Sequence, residues 1–177
     1  MRCSLTVAAL ALMALAGCNP VLNWREARFD NADLVAMLPC KPDKAERLVP
    51  LGAQQATLQM LGCEVGGATY AVARIALPDA SQLGQSLAQW KAATLANMRA
   101  TAPAQEAPFA PPGALAIPQS VRATAAGQRA DGHAVSAQLA WFARARGNGI
   151  DLFHLALYAD RIDPEASSAF FSGVRFP

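Results

Sequence analysis

The sequence predicts an α+β fold, an antiparallel β-sheet with one long amphipathic helix and a short C-terminal helix packed on it. Several segments alternate apolar and polar residues, as strands do. One segment has apolar residues at helical spacing, and a helix start signal lies near the C-terminus. Because a group of strands precedes the long helix and another follows it, the order is typical of an α+β domain.

The first group contains two predicted strands and a hairpin. Residues Leu22 to Phe29 and Leu34 to Leu38 are predicted strands, and Pro39 and Pro42 end the second. The charged segment Lys41 to Arg47 is assigned to no strand. A hairpin is then predicted from Gln55 to Leu77, with Gly66-Gly67 as its turn.

The long helix is predicted from Ala80 to Thr101. Asp79, followed three residues later by Gln82, resembles a capping box at its start. The apolar stripe is interpreted as core rather than as a partner surface, and it consists of Leu83, Leu87, Trp90, Leu95 and Met98.

Five prolines between Ala102 and Pro118 predict a surface loop without regular structure, and a recognition segment for a partner is the alternative. Strands follow at 121–127, 135–146 and 150–158. The last of these is apolar on both faces, as expected of a central strand covered on each side. Asp163-Pro164-Glu165 begins the C-terminal helix, because it supplies an N-cap, a proline at the first turn and an acidic residue.

The N-terminus has the pattern of an export signal. A short positive start precedes an apolar run, Leu5 to Leu15, which is too short for a stable membrane span. The run ends in Leu15-Ala16-Gly17-Cys18, which resembles the lipobox of bacterial lipoproteins. The resemblance implies a signal peptide over 1–17, acylation of Cys18 (including an amide-linked chain such as palmitate) and a tether over 18–23. An ordinary secreted protein is the alternative.

Residue 19 bears on the destination of such a lipoprotein. Asp at this position is the familiar signal for retention in the inner membrane, but the sequence has Asn19. The expected location is therefore the periplasmic face of the outer membrane, with the membrane as a partner through acylated Cys18. Residues 24–177 are expected to form a single α+β domain that includes the proline-rich loop 102–118.

Two of the four cysteines remain once Cys3 leaves with the signal and Cys18 carries lipid. In an oxidising compartment Cys40 and Cys63 are expected to form a disulfide. Two buried free thiols are the alternative. A metal site is less favoured, because neither cysteine has a second ligand at suitable spacing.

The charge pattern argues against nucleic acid as a partner. The formal net charge is +2, and acidic and basic residues are mixed along the chain with no basic stripe. Neither a nucleophile elbow nor a phosphate-binding loop occurs in the sequence. His133 is interpreted as a solvated turn residue and His154 as a hydrogen-bonded strand residue, so no catalytic residue, cofactor or metal ligand is assigned.

Arginines in the second strand group suggest a further possibility. Arg144 and Arg146, with Arg122 or Arg129 across a hairpin, are candidates for a small anion-binding edge. The favoured interpretation is that they protect an exposed strand edge.

The order of elements resembles the PsbP-like fold, in which helices sandwich an antiparallel sheet. The resemblance rests on the Trp24 strand, the break from Leu38-Pro39 to Pro42, the helix bearing Trp90, and the ending Phe170-Phe171-Ser172-Gly173-Val174-Arg175-Phe176. It covers most of Leu22 to Phe176. It implies a binding or assembly module without catalysis of its own.

Two functions follow from these observations. The first is a non-catalytic envelope lipoprotein that binds or positions an unknown envelope protein. The second is a periplasmic carrier or sensor of a small ligand, with an apolar cleft between sheet and helix lined by residues such as Trp90, Trp141 and Phe142.

Overall fold

The computed structural model describes residues 21–52 and 54–177, and within them it confirms the predicted α+β class. The proposed lipidation site Cys18 lies outside the described residues. The strands are β1 (Arg25–Arg28), β2 (Val35–Leu38), β3 (Asp43–Leu51), β4 (Gln54–Val65), β5 (Ala68–Leu77), β6 (Gln105–Pro108), β7 (Val121–Gln128), β8 (Ala134–Arg146) and β9 (Gly149–Ala159). The helices are α1 (Leu83–Asn97) and α2 (Pro164–Ser172).

A seven-stranded antiparallel sheet has the order β3-β4-β5-β9-β8-β7-β6, while β1 and β2 form a separate two-stranded sheet. Gly66 and Gly67 make the β4–β5 turn, as predicted, with φ values of 60° and 73°. Such positive φ values are readily adopted only by glycine. Strand β9 lies at the centre, between β5 and β8, and is buried on both faces.

Apolar layers cover the two faces of the large sheet. On one face, α2 and the β1–β2 sheet pack over Tyr70, Phe142 and Phe153. On the other face, α1 packs over Ile75, Trp141 and other residues of the sheet. The stripe of α1 belongs to this second core, as predicted: Leu87 and Met98 are buried, while Leu83, Trp90 and Leu95 are partly buried against it.

Helix α1 is shorter than the predicted range. A 3-10 turn, Ala80–Gln82, precedes it, and the Asp79 side chain accepts a hydrogen bond from the Ser81 backbone N–H at 2.8 Å. The N-cap role of Asp79 agrees with the predicted capping box, but the role of Gln82 is wrong, because its side chain accepts a hydrogen bond from Gln54 instead. At the other end the chain reverses and pairs with β7, where the Gln128 N–H donates to the Met98 carbonyl at 2.7 Å.

The start of α2 agrees with the prediction. The Asp163 carboxylate accepts a hydrogen bond from the Ala166 backbone N–H at 2.9 Å, and Pro164 occupies the first turn, where a missing N–H costs nothing. After the helix, Arg175 pairs with Val35 through two backbone hydrogen bonds. The C-terminal segment is thereby fixed to strand β2.

Two strands were not predicted. The charged segment after Pro42 is the start of β3, an edge strand whose side chains are mostly exposed and therefore show no apolar alternation. Within the loop predicted over 102–118, residues Gln105–Pro108 form β6 at the opposite edge. An edge strand tolerates proline because one side of its backbone needs no partner.

The predicted first strand and tether also need correction. Only Arg25–Arg28 of the predicted range Leu22 to Phe29 is a strand. Leu22 packs against the core and the Asn23 N–H donates to the Pro39 carbonyl at 2.7 Å, so these two residues belong to the folded structure rather than to the tether.

Candidate functional site

A cleft of about 940 Å³ lies between α1 and the large sheet. Its floor includes Ala71 and Ala73 of β5 and Ala156 of β9, which are neighbours because residue 71 pairs with residue 156. On the same face, Ile75 is a large buried residue. Because an alanine side chain ends at Cβ, these three positions leave space that larger residues would fill. We call this space the helix–sheet cleft.

Helix α1 forms one wall of the helix–sheet cleft, with Trp90, Ala93 and Thr94. Strand β3 and the turn after it form the opposite wall, through residues 47–52. The apolar part of the lining comes from the core face of β5 and from Trp90 and Met98 of the α1 stripe, while other positions of α1 add polar side chains. The remaining residues that line it are Leu58, Met60, Thr69, Ile75, Gln89, Asn97, Met98, Gln128, Arg129, Ala130, Val135, His154 and Tyr158.

His154 lines the helix–sheet cleft and contacts Trp90 of α1. Its Nδ1 is 3.0 Å from the Ala140 carbonyl oxygen. Because a carbonyl only accepts hydrogen bonds, Nδ1 carries the proton and Nε2 is left as an acceptor. The ring stacks on Trp141 at 4.7 Å between centroids and meets Trp90 edge-on at 5.5 Å. This burial lowers the pKa of His154 to about 4, although the hydrogen bond to Ala140 acts in the opposite direction.

The charged residues that line the helix–sheet cleft are cationic. Arg47 and Arg129 line it, whereas no Asp or Glu does so within the described part of the chain. Arg129 is paired with the exposed Asp160 at 3.2 Å. Arg47 makes no hydrogen bond or ion pair with another described side chain. Tyr158 adds a phenol whose pKa is raised by burial, so its hydroxyl stays protonated at neutral pH.

The arginines suggested as an anion-binding edge are not brought together. Arg144 lies over the Phe176 ring at 4.4 Å, and Arg146 donates to Asp151 at 2.9 Å. Arg122 lies over the Phe171 ring at 3.9 Å, and Arg129 pairs with Asp160. The favoured alternative, protection of a strand edge, stays an interpretation for Arg144 and Arg146, because the pairing of β8 with β7 ends at Trp141 and this end of β8 pairs only with β9.

A buried ion network occupies the opposite face of the sheet. Asp151 is 4% exposed, and its Oδ1 receives hydrogen bonds from Arg74 at 2.8 Å and Arg146 at 2.9 Å. Arg74 also donates to Asn31 and Gln59. The described side chains thus use the carboxylate and most guanidinium donors of this network internally, which is the pattern of a structural element.

Of the three residues predicted to line the cleft, one does so and two lie elsewhere. Trp90 lines the helix–sheet cleft, as predicted. Trp141 lies beneath His154 and is fully buried, while Phe142 faces the layer that contains α2. The two histidines are placed as interpreted, with His133 exposed in a turn and His154 hydrogen-bonded within a strand.

The alanine floor and Arg47 were not predicted from the sequence as parts of the cleft. Ala71 and Ala73 alternate along a strand, and this spacing was the available signal for a shallow floor. Nothing in the sequence marked Arg47 as a cleft residue, because its segment was not assigned to a strand. The disulfide expected between Cys40 and Cys63 is present in the structure, with a Cα–Cα distance of 6.0 Å.

The described residues contain neither a cluster suited to a metal ion nor a helix suited to span a membrane. Nowhere in 21–52 and 54–177 are three or more His, Cys, Asp or Glu side chains placed to hold a metal ion. Over the same residues, neither α1 nor α2 has the length and apolar character needed to cross a membrane.

Comparisons with known proteins show no family. No family model matches the chain, and no curated protein matches it. A solved structure similar to it is the protein of unknown function PA94 from Pseudomonas aeruginosa, at 16% sequence identity. The match covers 82% of this chain and 86% of that chain, with a TM-score of 0.32. At that score the likeness carries no argument about function.

Proposed function

We propose that this protein is a non-catalytic envelope lipoprotein that carries or senses an apolar small molecule in the helix–sheet cleft. The observation that carries the proposal is the open, alanine-floored space of about 940 Å³ beneath α1. Pockets that bind small molecules are typically about 300–1,000 Å³ and mostly apolar, with a few polar groups. The helix–sheet cleft matches this description in size and lining.

The chemistry of His154 supports a binding role over a catalytic one. A general base needs a pKa near the working pH. Burial lowers the pKa of His154 to about 4, and no carboxylate lines the cleft among the described residues. The ring therefore stays neutral at pH 7 and has no carboxylate of the described chain beside it to form a catalytic pair.

The start of the described chain indicates which end of the cleft lies nearest the proposed tether. Val21 lies beside Gly66 in the β4–β5 turn. Residue 18, the proposed acylation site, is three positions earlier. Thr69, the second residue of β5 after this turn, lines the helix–sheet cleft. We therefore expect this end of the cleft to lie towards the periplasmic face of the outer membrane, with the acylated Cys18 as tether.

The cleft is tested by filling it. In Ala71→Leu, the added side chain should occupy the floor and weaken binding of the neutral apolar dye N-phenyl-1-naphthylamine at least about tenfold, because the larger side chain takes the space of the ligand. Dye fluorescence measures this in the full chain carrying Cys18→Ser, which cannot be acylated at that position. The matched control is Ala126→Leu, at an exposed strand position outside the cleft.

Two results would contradict the cleft proposal. One is the absence of saturable dye binding by the Cys18→Ser parent protein. The other is unchanged binding by Ala71→Leu when thermal unfolding shows that the variant is folded. Extraction of the native protein for co-purified apolar molecules provides an independent check, and Ala71→Leu should retain less of them than Ala126→Leu.

The tether is tested by intact mass. Protein from the membrane fraction should have the mass of residues 18–177 plus acyl chains, because a lipoprotein is cut before the acylated cysteine. In Cys18→Ser the acyl mass should be absent, because no thiol remains at residue 18 to be acylated. An unlipidated native mass would contradict the tether and leave the cleft proposal standing.

An assembly module is the second candidate, and strand β3 favours it. In the described structure β3 pairs with β4 alone, and Leu48 within it is 71% exposed. A free strand edge can pair with a strand of another protein. If the parent protein binds no apolar probe, binding or positioning of an envelope protein through β3 becomes the favoured function.

A further inference from the structure

We infer that the helix–sheet cleft takes a single-chain fatty carboxylate, with its alkyl chain over the alanine floor and its carboxylate at Arg47. The inference rests on the proposed function and adds the chemical class and orientation of the ligand. It depends on three features of the cleft, namely its apolar interior, the position of its charges and the acceptor character of His154.

The interior suits an alkyl chain. Ala73 and Ala156 are buried floor residues, and Trp90 faces them from α1. None of these side chains offers a donor or acceptor to the ligand except the indole N–H. An alkyl chain makes no hydrogen bonds, so a floor of methyl groups loses nothing by contacting it.

The rim suits a single negative charge. Arg47 lies directly opposite Leu58 in the β3–β4 register, so both side chains project to the same face of the sheet, beside the cleft. Arg47 has no ionic partner among the described side chains, whereas Arg129 already shares its charge with Asp160. One uncompensated guanidinium matches a carboxylate, which it can bind through two parallel hydrogen bonds.

His154 sets the orientation of the ligand. Its Nδ1 proton is used by the Ala140 carbonyl, so the ring offers only an acceptor lone pair. A carboxylate beside it would place two acceptors together without a proton between them. The headgroup is therefore disfavoured beside His154, and we place it at the rim with the alkyl chain inside.

The experiment compares decanoate with decan-1-ol, which share an alkyl chain and differ in charge. Calorimetry on the full chain with Cys18→Ser measures both ligands at pH 7.5 and moderate salt. Adding Arg47→Gln should weaken the affinity for decanoate about threefold to fivefold, the effect expected of an exposed charge pair. It should leave the affinity for decan-1-ol unchanged. Arg47→Lys should retain most of the decanoate affinity, because it keeps the charge.

A matched control and a chain-length series complete the design. Arg161→Gln makes the same change in net charge at an exposed residue that does not line the cleft, and it should alter neither ligand. Octanoate, decanoate and dodecanoate should bind about fourfold more tightly with each added methylene, until the cleft is full.

The outcomes separate this inference from the proposed function. If both ligands bind and Arg47→Gln weakens them equally or not at all, the carboxylate assignment is overturned while a ligand-binding cleft remains. A flat chain-length series would overturn the placement of the alkyl chain. If neither ligand binds the folded parent protein, the proposed function itself fails.

Discussion

The imidazole of His154 is held neutral by its surroundings. Two tryptophan rings and the strand backbone exclude water from it, and the charged form would lose its hydration without gaining a carboxylate partner. Burial is therefore the dominant cause of its lowered pKa, and the residue contributes a pH dependence to folding.

Stability should fall as the pH drops from 7 towards 4. The unfolded chain binds a proton at His154 below a pKa of about 6.5, whereas the folded protein does so only below about 4. Between these values protonation favours the unfolded state. The cost of keeping His154 neutral in the folded protein is therefore absent above about pH 6.5 and grows as the pH falls towards 4. Between pH 7 and pH 5 this titration should lower the free energy of unfolding by about 2 kcal/mol.

His154→Phe provides the control for this titration, because it retains a ring and cannot bind a proton. Urea unfolding at pH 7 and pH 5 should show a loss in the parent protein that exceeds the loss in His154→Phe by about 2 kcal/mol. Equal losses in the two proteins would show that His154 titrates normally in the folded state.

The sequence predicted those strands whose buried positions appear as large apolar residues in the sequence. Strands β4, β5 and β9 have large apolar residues, and their predicted ranges agree with the structure to within one residue. Strand β3 is charged because its side chains face water at the sheet edge, so the alternation that marks a half-buried strand is absent. Pairing with β4 supplies its structure, and no local signal reports such pairing.

The cleft shows a similar division between local and tertiary information. The sequence predicted a cleft between helix and sheet, but it assigned both Trp141 and Phe142 to the lining. Adjacent residues of a strand point to opposite faces, so one cleft cannot receive both. The two-residue period of a strand therefore excludes a cleft lined by both Trp141 and Phe142. The choice of Ala71 and Ala73 for the floor required the position of α1 relative to β5, which only the folded structure provides.

Across the whole molecule, the disulfide joins two layers of the fold. Cys40 follows β2 of the small sheet, and Cys63 lies in β4 of the large sheet. Trp24 and Tyr70, in contact at 6.2 Å between ring centroids, bridge the same two layers. The small sheet has only two strands, and such a sheet is marginally stable in isolation. Its attachment to the large sheet therefore depends on this bridge and on apolar packing.

Removing the disulfide should destabilise the whole fold. The double variant Cys40→Ala/Cys63→Ala frees a loop with a sequence separation of 23 residues. Loop-closure entropy predicts a loss of about 3 kcal/mol in the free energy of unfolding, chiefly because the unfolded chain is less constrained. Urea unfolding should show this loss, and reductant should lower the stability of the parent protein while leaving the double variant unchanged. Labelling of both thiols in folded native protein without reductant would show instead that the bridge does not form in the cell.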